Sequence, residues 1–252
     1  MSLLPLETLT FYFRFSIPNR NVERQLAYTP IIAPIMLPNL YRFYFRGVST
    51  YLEALVHRIA APRLEKLQIE NFNQLAFSGP RVLQCIVAAE NLRFGNAVLT
   101  FSDKHVAAWV SHHGETKMYA LCIVVKCWHL DWQVSSMAHI SNSLSQIFST
   151  VEHLVLQHVV HSWSSEVHNE VDRTEWRKLL RPFSNVKTLR IRNGLVKDLS
   201  LCLELEDGEL PLELLPELYE FEYHRSRDTS DAFNSFIDAR LNAGRPVTVV
   251  HQ

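Results

Sequence analysis

Hydrophobic residues recur in this chain in a short pattern: an apolar residue, a second three positions later and a third two positions after that. Apolar residues at alternate positions are typical of a β-strand with one buried face. When such a strand recurs along a chain, it predicts a solenoid, because each unit buries its apolar face only by stacking on its neighbours. The seven copies are Leu6-Leu9-Phe11, Leu40-Phe43-Phe45, Leu64-Leu67-Ile69, Met118-Leu121-Ile123, Val151-Leu154-Leu156, Val186-Leu189-Ile191 and Leu218-Phe221-Tyr223.

The spacing of these copies defines the repeat. Their first residues lie at positions 6, 40, 64, 118, 151, 186 and 218, so successive units are 34, 24, 54, 33, 35 and 32 residues long. The 54-residue interval has room for another unit, and Val98–Phe101 is a degenerate candidate for it. These lengths overlap, and mostly exceed, the roughly 20–29 residues of leucine-rich repeats. We therefore expect one irregular leucine-rich-repeat-like domain over residues 1–252.

Helical spacing of apolar residues follows several of the strands. In two of these helices the apolar stripe ends at a residue that we expect to be buried: Val87 in the helix that begins at Pro80, and Leu241 in the helix over 230–242. Residues 198–205 fit either a strand or a helix, and their place in the repeat favours a helix. The alternation predicts an α/β horseshoe with a parallel strand on the concave side of each repeat and helices outside, and residues 228–252 as a C-terminal cap. The expected helices run from Ser49 to before Pro62, from Pro80 through Val87, over 135–149, from Asp172 to before Pro182, and over 230–242.

The strand pattern also predicts which side chains are exposed. If the first, fourth and sixth positions of each unit are buried, the third, fifth and seventh point to the opposite face, which in a solenoid is the concave surface. We expect this surface to bind a protein partner, with an apolar middle at Ala120, Cys122 and Val124. The candidate binding residues are Arg42, Tyr44, Arg46, Lys66, Gln68, Glu70, His153, Gln157, Thr188, Arg190, Arg192, Glu220, Glu222 and His224.

Composition narrows the class of partner. The formal net charge is −1, which gives no electrostatic case for nucleic acid or an anionic membrane. No apolar run is long enough to cross a bilayer, and the first residues lack the form of a secretory signal. Four irregularly spaced cysteines favour reduced thiols in the cytoplasm or nucleus.

The sequence offers little for catalysis or metal binding. Cys122, Cys127 and His129 are too loosely spaced for a structural zinc site, so no metal and no cofactor are expected. The seven glycines form no nucleophile elbow, phosphate loop or dinucleotide fingerprint. A hydrolase-like enzyme stays open as an alternative, and a deep pocket joining His153, Glu220 or Glu222 to a nucleophile would favour it. A non-functional relic also stays open.

Several strands resemble those of large fungal families of F-box proteins with leucine-rich-repeat-like tails. The segments are LPNLYRFYFRGV, APRLEKLQIENF, VEHLVLQHV, NVKTLRIRNG and the late stretches DGELPLELLPELYEFEY and AFNSFIDARLNAGRPVTVV, and the resemblance covers roughly residues 37–252. It implies a repeat region that holds the substrate of a cullin-type ubiquitin ligase. In those families an N-terminal F-box docks the ligase adaptor, whereas here a repeat strand already starts at Leu6. We expect no F-box in the chain, a start inside a larger array, and adaptor binding only with an upstream F-box.

Overall fold

The computed structural model describes residues 6–13, 34–72, 79–89, 91–92, 94–112, 119–159, 171–192, 194–205, 210, 212–223 and 231–251. Within these ranges the chain forms an α/β structure around a mostly parallel sheet. The strands are β1 (Thr8–Tyr12), β2 (Ile35–Met36), β3 (Arg42–Gly47), β4 (Ile59–Ala60), β5 (Lys66–Phe72), β6 (Asn96–Ser102), β7 (His105–Ser111), β8 (Tyr119–Lys126), β9 (His153–Val159), β10 (Thr188–Arg192), β11 (Glu220–Tyr223) and β12 (Thr248–His251).

Ten of these strands form one sheet in the order β1-β3-β5-β8-β7-β6-β9-β10-β11-β12, and β2 pairs with β4 beside it. Neighbours in the large sheet are parallel except at β7, which runs antiparallel to β6 and β8. The sheet is open and does not close into a barrel. The expected parallel α/β arrangement is therefore confirmed on both sides of β7.

All seven predicted repeat strands form, and their fourth and sixth positions share one register, whereas Leu6, the first residue of the first copy, is 45% exposed and not buried as expected. Phe43 lies opposite Leu67, and Leu67 lies opposite Leu121. On the other side of β7, Leu154 lies opposite Leu189, which lies opposite Phe221. All of these side chains are almost fully buried. Met118, the first residue of the fourth copy, lies outside the described residues.

The helices of the described chain lie against this buried side, which we call the core face. Buried residues of the helices and of the core face form a single apolar cluster, in which the Trp176 ring lies 5.3 Å from that of Phe101. Burial of this apolar surface is the main source of stability. The helices are α1 (Ser49–Val56), α2 (Pro80–Ala88), α3 (Leu130–Ser143), α4 (Ser145–Phe148), α5 (Arg173–Leu180), α6 (Val196–Leu203) and α7 (Asn234–Asn242).

The caps of two helices explain where they begin. At α5 the expected start at Asp172 is confirmed, because the main-chain N–H of Thr174 donates to Asp172 Oδ1 (2.8 Å) and Asp172 caps the helix. At α2 the carboxylate comes from the preceding helix: the main-chain N–H groups of Arg81 and Val82 donate to Glu53 at 3.1 and 3.0 Å. Glu53 thus links α1 to α2.

Four details of the helix prediction are wrong. The helix expected over 135–149 begins earlier, at Leu130, and is divided at Leu144 into α3 and α4. The first helix ends at Val56 instead of reaching Pro62, and Ile59 lies in β4, where it pairs with Ile35. Val87 and Leu241 are 60% and 58% exposed, although helical spacing placed them on buried stripes. In α2 the buried positions are Val82 and Ile86, so the stripe is rotated from the one expected. The helix over 198–205 does form, as α6.

The centre of the sheet departs from a simple repeat. The 54-residue interval contains β6, which includes Val98–Phe101, and also the antiparallel strand β7. The turn between them is tight, because Ser102 Oγ accepts hydrogen bonds from the main-chain N–H groups of Lys104 and His105 and donates to His105 O. The chain therefore goes from β5 to β6 and returns through β7 to β8, which pairs with β5.

At the C-terminal end, β12 pairs with β11 in parallel. Arg240 of α7 is fully buried, and its guanidinium donates to the carbonyls of Leu215, Pro216 and Leu218 in the segment that leads into β11. Burial lowers the pKa of Arg240. Within the described ranges, no helix is long and apolar enough to cross a membrane.

Candidate functional site

The face of the sheet opposite the helices, here called the open face, carries the candidate binding residues. Arg42 and Lys66 pair in register on one side of the sheet, and His153, Thr188 and Glu220 form one row on the other side. Further rows hold Tyr44 with Gln68, Arg46 with Glu70, Arg190 with Glu222, and Gln157 with Arg192. His224 lies outside the described residues.

One group of charged residues on this face is held together by ion pairs within the chain. Glu70 accepts a hydrogen bond from the Tyr44 hydroxyl (2.9 Å), and its carboxylate lies 2.8 Å from Lys126 Nζ and 3.4 Å from Arg46 Nε. The Arg46 guanidinium also stacks over the Tyr12 ring at 4.6 Å. We call Tyr12, Tyr44, Arg46, Glu70 and Lys126 the Glu70 cluster.

The titration behaviour of the cluster reflects these contacts. Burial and the hydrogen bond to Glu70 raise the pKa of Tyr44 to about 12, so its hydroxyl stays protonated and donates. Burial by itself would raise the pKa of Glu70, but hydrogen bonds from Lys126 and Tyr44 and the nearby cations outweigh it and lower that pKa. The carboxylate is therefore ionised at neutral pH.

Several candidate residues on the other half of the open face also form ion pairs or side-chain hydrogen bonds. Arg190 forms an ion pair with Glu222, whose side chain is 7% exposed. His153 Nδ1 lies 2.7 Å from Thr188 Oγ1, and Gln157 Nε2 donates to Thr100 Oγ1 (2.9 Å). These contacts hold several candidate residues in fixed positions, whereas the Arg192 side chain is exposed and makes no ion pair or hydrogen bond within the described chain.

Between these halves lies a row of apolar side chains. Register places Cys122 opposite Trp109, Trp109 opposite Val98, and Val98 opposite Val155. Cys122 is buried and the other three are half-buried. We call these four residues the apolar strip. The predicted apolar middle thus exists, but β6, β7 and β9 contribute most of it.

A pocket of about 340 Å³ opens where β3, β5 and β8 begin. Its volume is at the lower end of the range for ligand sites. The Tyr119 ring lies 4.8 Å from the Trp109 ring, so the pocket adjoins the apolar strip. Its lining residues are Arg42, Glu65, Lys66, Asn91, His112, Tyr119 and Ala120.

The two cations of the pocket differ from those of the Glu70 cluster. Arg42 is exposed and Lys66 is half-buried, and neither forms an ion pair or a side-chain hydrogen bond with any residue of the described chain. They occupy paired positions on adjacent strands. Like charges at such positions repel and destabilise a sheet. This pair is therefore available to bind an anion.

The structure shows where the residues of the metal and enzyme alternatives lie. No group of three or more His, Cys, Asp or Glu within the described ranges is arranged to hold a metal ion. Burial raises the pKa of both Cys122 and Cys127 to about 12, with the Glu70 charge adding to the effect at Cys122. In register, Thr188 lies between His153 and Glu220, so the histidine does not bridge hydroxyl and carboxylate as in a catalytic triad. The pocket lining includes none of these three residues.

Sequence reasoning missed most of the pocket. Arg42, Lys66 and Ala120 were identified from the strand alternation, whereas Glu65, Asn91, His112 and Tyr119 were not. Glu65 precedes β5, His112 follows β7, and Tyr119 begins β8. The only signal in the sequence was the short apolar run VAAWV after the Ser102–His105 turn, which indicates the extra strand that His112 follows.

The chain was compared with protein-family models, with curated proteins and with solved structures, and none of the three comparisons returned a match. What the chain does is therefore inferred from the residues of the open face and of the pocket.

Proposed function

We propose that this chain is a protein-interaction module that binds its partner on the open face. The observation that carries the proposal is the shared register of the repeat strands, which leaves one face to the helices and presents on the other face tyrosines, arginines and a half-buried tryptophan. These residue types contribute most to binding at protein interfaces.

We also propose a specific fold type and a family relationship for this chain. We take the fold to be an irregular leucine-rich-repeat-like solenoid that β7 interrupts, with the open face as its concave side. The sequence resemblance supports a relation to the substrate-recognition repeats of F-box proteins of cullin-type ubiquitin ligases. The four free thiols support a place in the cytoplasm or nucleus.

Binding of displayed peptides tests the proposal even though the partner is unidentified. A random peptide library displayed on phage is panned against the full chain, and the enriched peptides are measured against charge-reversed variants. Arg42→Glu with Arg192→Glu should reduce affinity at least about tenfold, because both cations lie on the open face. Arg190 is left unchanged, since its removal would strand the buried Glu222 charge.

The control carries the same change of charge on the helical side. Arg81 of α2 and Lys197 of α6 are exposed there, and Arg81→Glu with Lys197→Glu should leave affinity unchanged. Both double variants should keep the circular dichroism spectrum of the unmodified chain. Equal binding of all three proteins, or no enriched peptide at all, would overturn the proposal.

A further inference from the structure

We propose that the pocket at the start of β3, β5 and β8 holds a carboxylate side chain of the partner, and that an apolar residue of the same extended segment packs on the apolar strip. This inference rests on the proposed function and specifies the chemistry of the partner. Three observations carry it: the charge of the described pocket lining, the lack of a side-chain partner for Arg42 and Lys66 among the described residues, and the distance from the pocket to the apolar strip.

The charge of the pocket favours a monoanion. With His112 counted as neutral, the described lining residues carry a charge of +1, because Arg42 and Lys66 contribute two positive charges and Glu65 one negative charge. One carboxylate neutralises this charge, whereas a phosphate dianion leaves an excess negative charge beside Glu65. The guanidinium of Arg42 can bind a carboxylate through two parallel hydrogen bonds, and Lys66 adds a point charge.

The like charges of Arg42 and Lys66 affect the stability of the sheet. The repulsion between the paired positions Arg42 and Lys66 weakens the isolated sheet, and a bound anion relieves it. On the same face, the Glu70 carboxylate relieves the repulsion between Arg46 and Lys126, because its Oε1 lies 3.4 Å from Arg46 Nε and 2.8 Å from Lys126 Nζ. Among the described residues, none forms an ion pair that would relieve the repulsion between Arg42 and Lys66. A bound carboxylate would therefore compensate the charges of Arg42 and Lys66, as Glu70 compensates those of Arg46 and Lys126.

The geometry of the sheet sets the spacing of the partner residues. From β3, which carries Arg42, to β7, which carries Trp109 of the apolar strip, the sheet order passes through β5 and β8. Three steps of about 4.8 Å between strands give about 14 Å. An extended segment spans that distance in about four residues. The partner segment should therefore carry Asp or Glu about four positions from a large apolar residue.

Nuclear magnetic resonance with a defined probe tests this inference. The probe is a ten-residue Gly-Ser peptide, capped at both ends, that carries one glutamate and one leucine four positions later. On titration, the main-chain amides of Lys66 and Tyr119 and the indole N–H of Trp109 should shift together, with a single dissociation constant. Replacing the glutamate by glutamine should weaken binding at least about fivefold. Placing the two residues side by side should remove the shift of the Trp109 indole.

Matched variants assign the effect to the pocket. Arg42→Gln with Lys66→Gln should abolish the shift at Tyr119, whereas Arg81→Gln with Lys197→Gln, which removes the same charge from the helical side, should preserve it. Both variants should give well-dispersed spectra of a folded chain. Equal binding of the glutamate and glutamine peptides, or of the two double variants, would overturn the inference.

Two small anions separate the sources of negative charge. If sodium phosphate shifts the Lys66 amide at lower concentration than the glutamate peptide does, the pocket is a phosphate site and the carboxylate assignment is wrong. If sodium acetate binds as tightly as the peptide, the apolar contact contributes nothing and the spacing argument is wrong. Peptides from the display experiment that bind the open face without needing an acidic residue would overturn this inference alone and leave the proposed function standing.

Discussion

Two sets of charges on strands β3 and β5 lie only four residues apart and differ in kind. Arg46 and Glu70 are paired with each other and with Lys126 and Tyr44. Arg42 and Lys66, at the start of the same strands, face a pocket, and their side chains lack an ionic or hydrogen-bonding partner within the described chain. The first set stabilises the sheet, whereas the second weakens it unless an anion binds. Charges on neighbouring strands can thus stabilise the fold or, as we propose for Arg42 and Lys66, bind a partner.

The largest effect on stability is expected on the core face of the same strand. Leu67 of β5 is 1% exposed and lies between Lys66 and Glu70 in the sequence. Leu67→Ala should lower the free energy of unfolding by about 3 kcal/mol, because it removes buried apolar surface and leaves a cavity. Denaturant unfolding measures this change, with Leu201→Ala in α6 as the control, since Leu201 is 52% exposed. A loss at Leu67 no larger than that at Leu201 would contradict the assignment of the core face.

A smaller effect is expected at Glu70. Glu70→Gln should lower the free energy of unfolding at pH 7 by about 2 kcal/mol, because it removes the charge that Lys126 and Arg46 contact. Folding lowers the pKa of Glu70 below its ordinary 4.5, so its contribution is present above pH 4.5 and is lost as the pH falls through the folded-state pKa. The difference between the two proteins should therefore shrink from pH 7 to pH 3.

The control for this experiment is the same substitution in the pocket. Glu65→Gln changes an exposed carboxylate that makes no ion pair within the described chain, so the free energy of unfolding should change by less than about 0.5 kcal/mol. Equal changes in the free energy of unfolding for Glu70→Gln and Glu65→Gln at pH 7 would contradict the claim that the Glu70 cluster stabilises the fold. An effect of Glu70→Gln that does not depend on pH would also contradict it.

The same contrast explains what the sequence could predict. Alternation placed Phe43, Leu67 and Leu154 on a buried face, because burial of apolar side chains at every second residue is a local property of a strand. The repeat also predicted that each unit stacks on the next, and the structure aligns the apolar positions of neighbouring units in one register. Helix stripes were less secure: Val87 and Leu241 fit the spacing but are exposed, because the angle at which a helix meets the sheet depends on its neighbours.

The pocket depended on contacts that no local pattern contains. Arg42, Lys66 and Ala120 were on the predicted face, but their neighbours His112 and Tyr119 arrive only because the chain doubles back through β7. The sequence likewise contained both sets of charges without indicating which was paired. That distinction depends on Lys126, which β8 brings beside Glu70 and away from Lys66.

Unfolding and peptide binding of one variant decide whether the two pocket cations serve recognition. For Arg42→Gln with Lys66→Gln, we expect a free energy of unfolding equal to or slightly above that of the unmodified chain, because two like charges on adjacent strands are removed. We also expect that the glutamate-leucine peptide no longer binds. A variant that loses stability, or one that binds the peptide as tightly as the unmodified chain does, would contradict a role of these two cations in recognition.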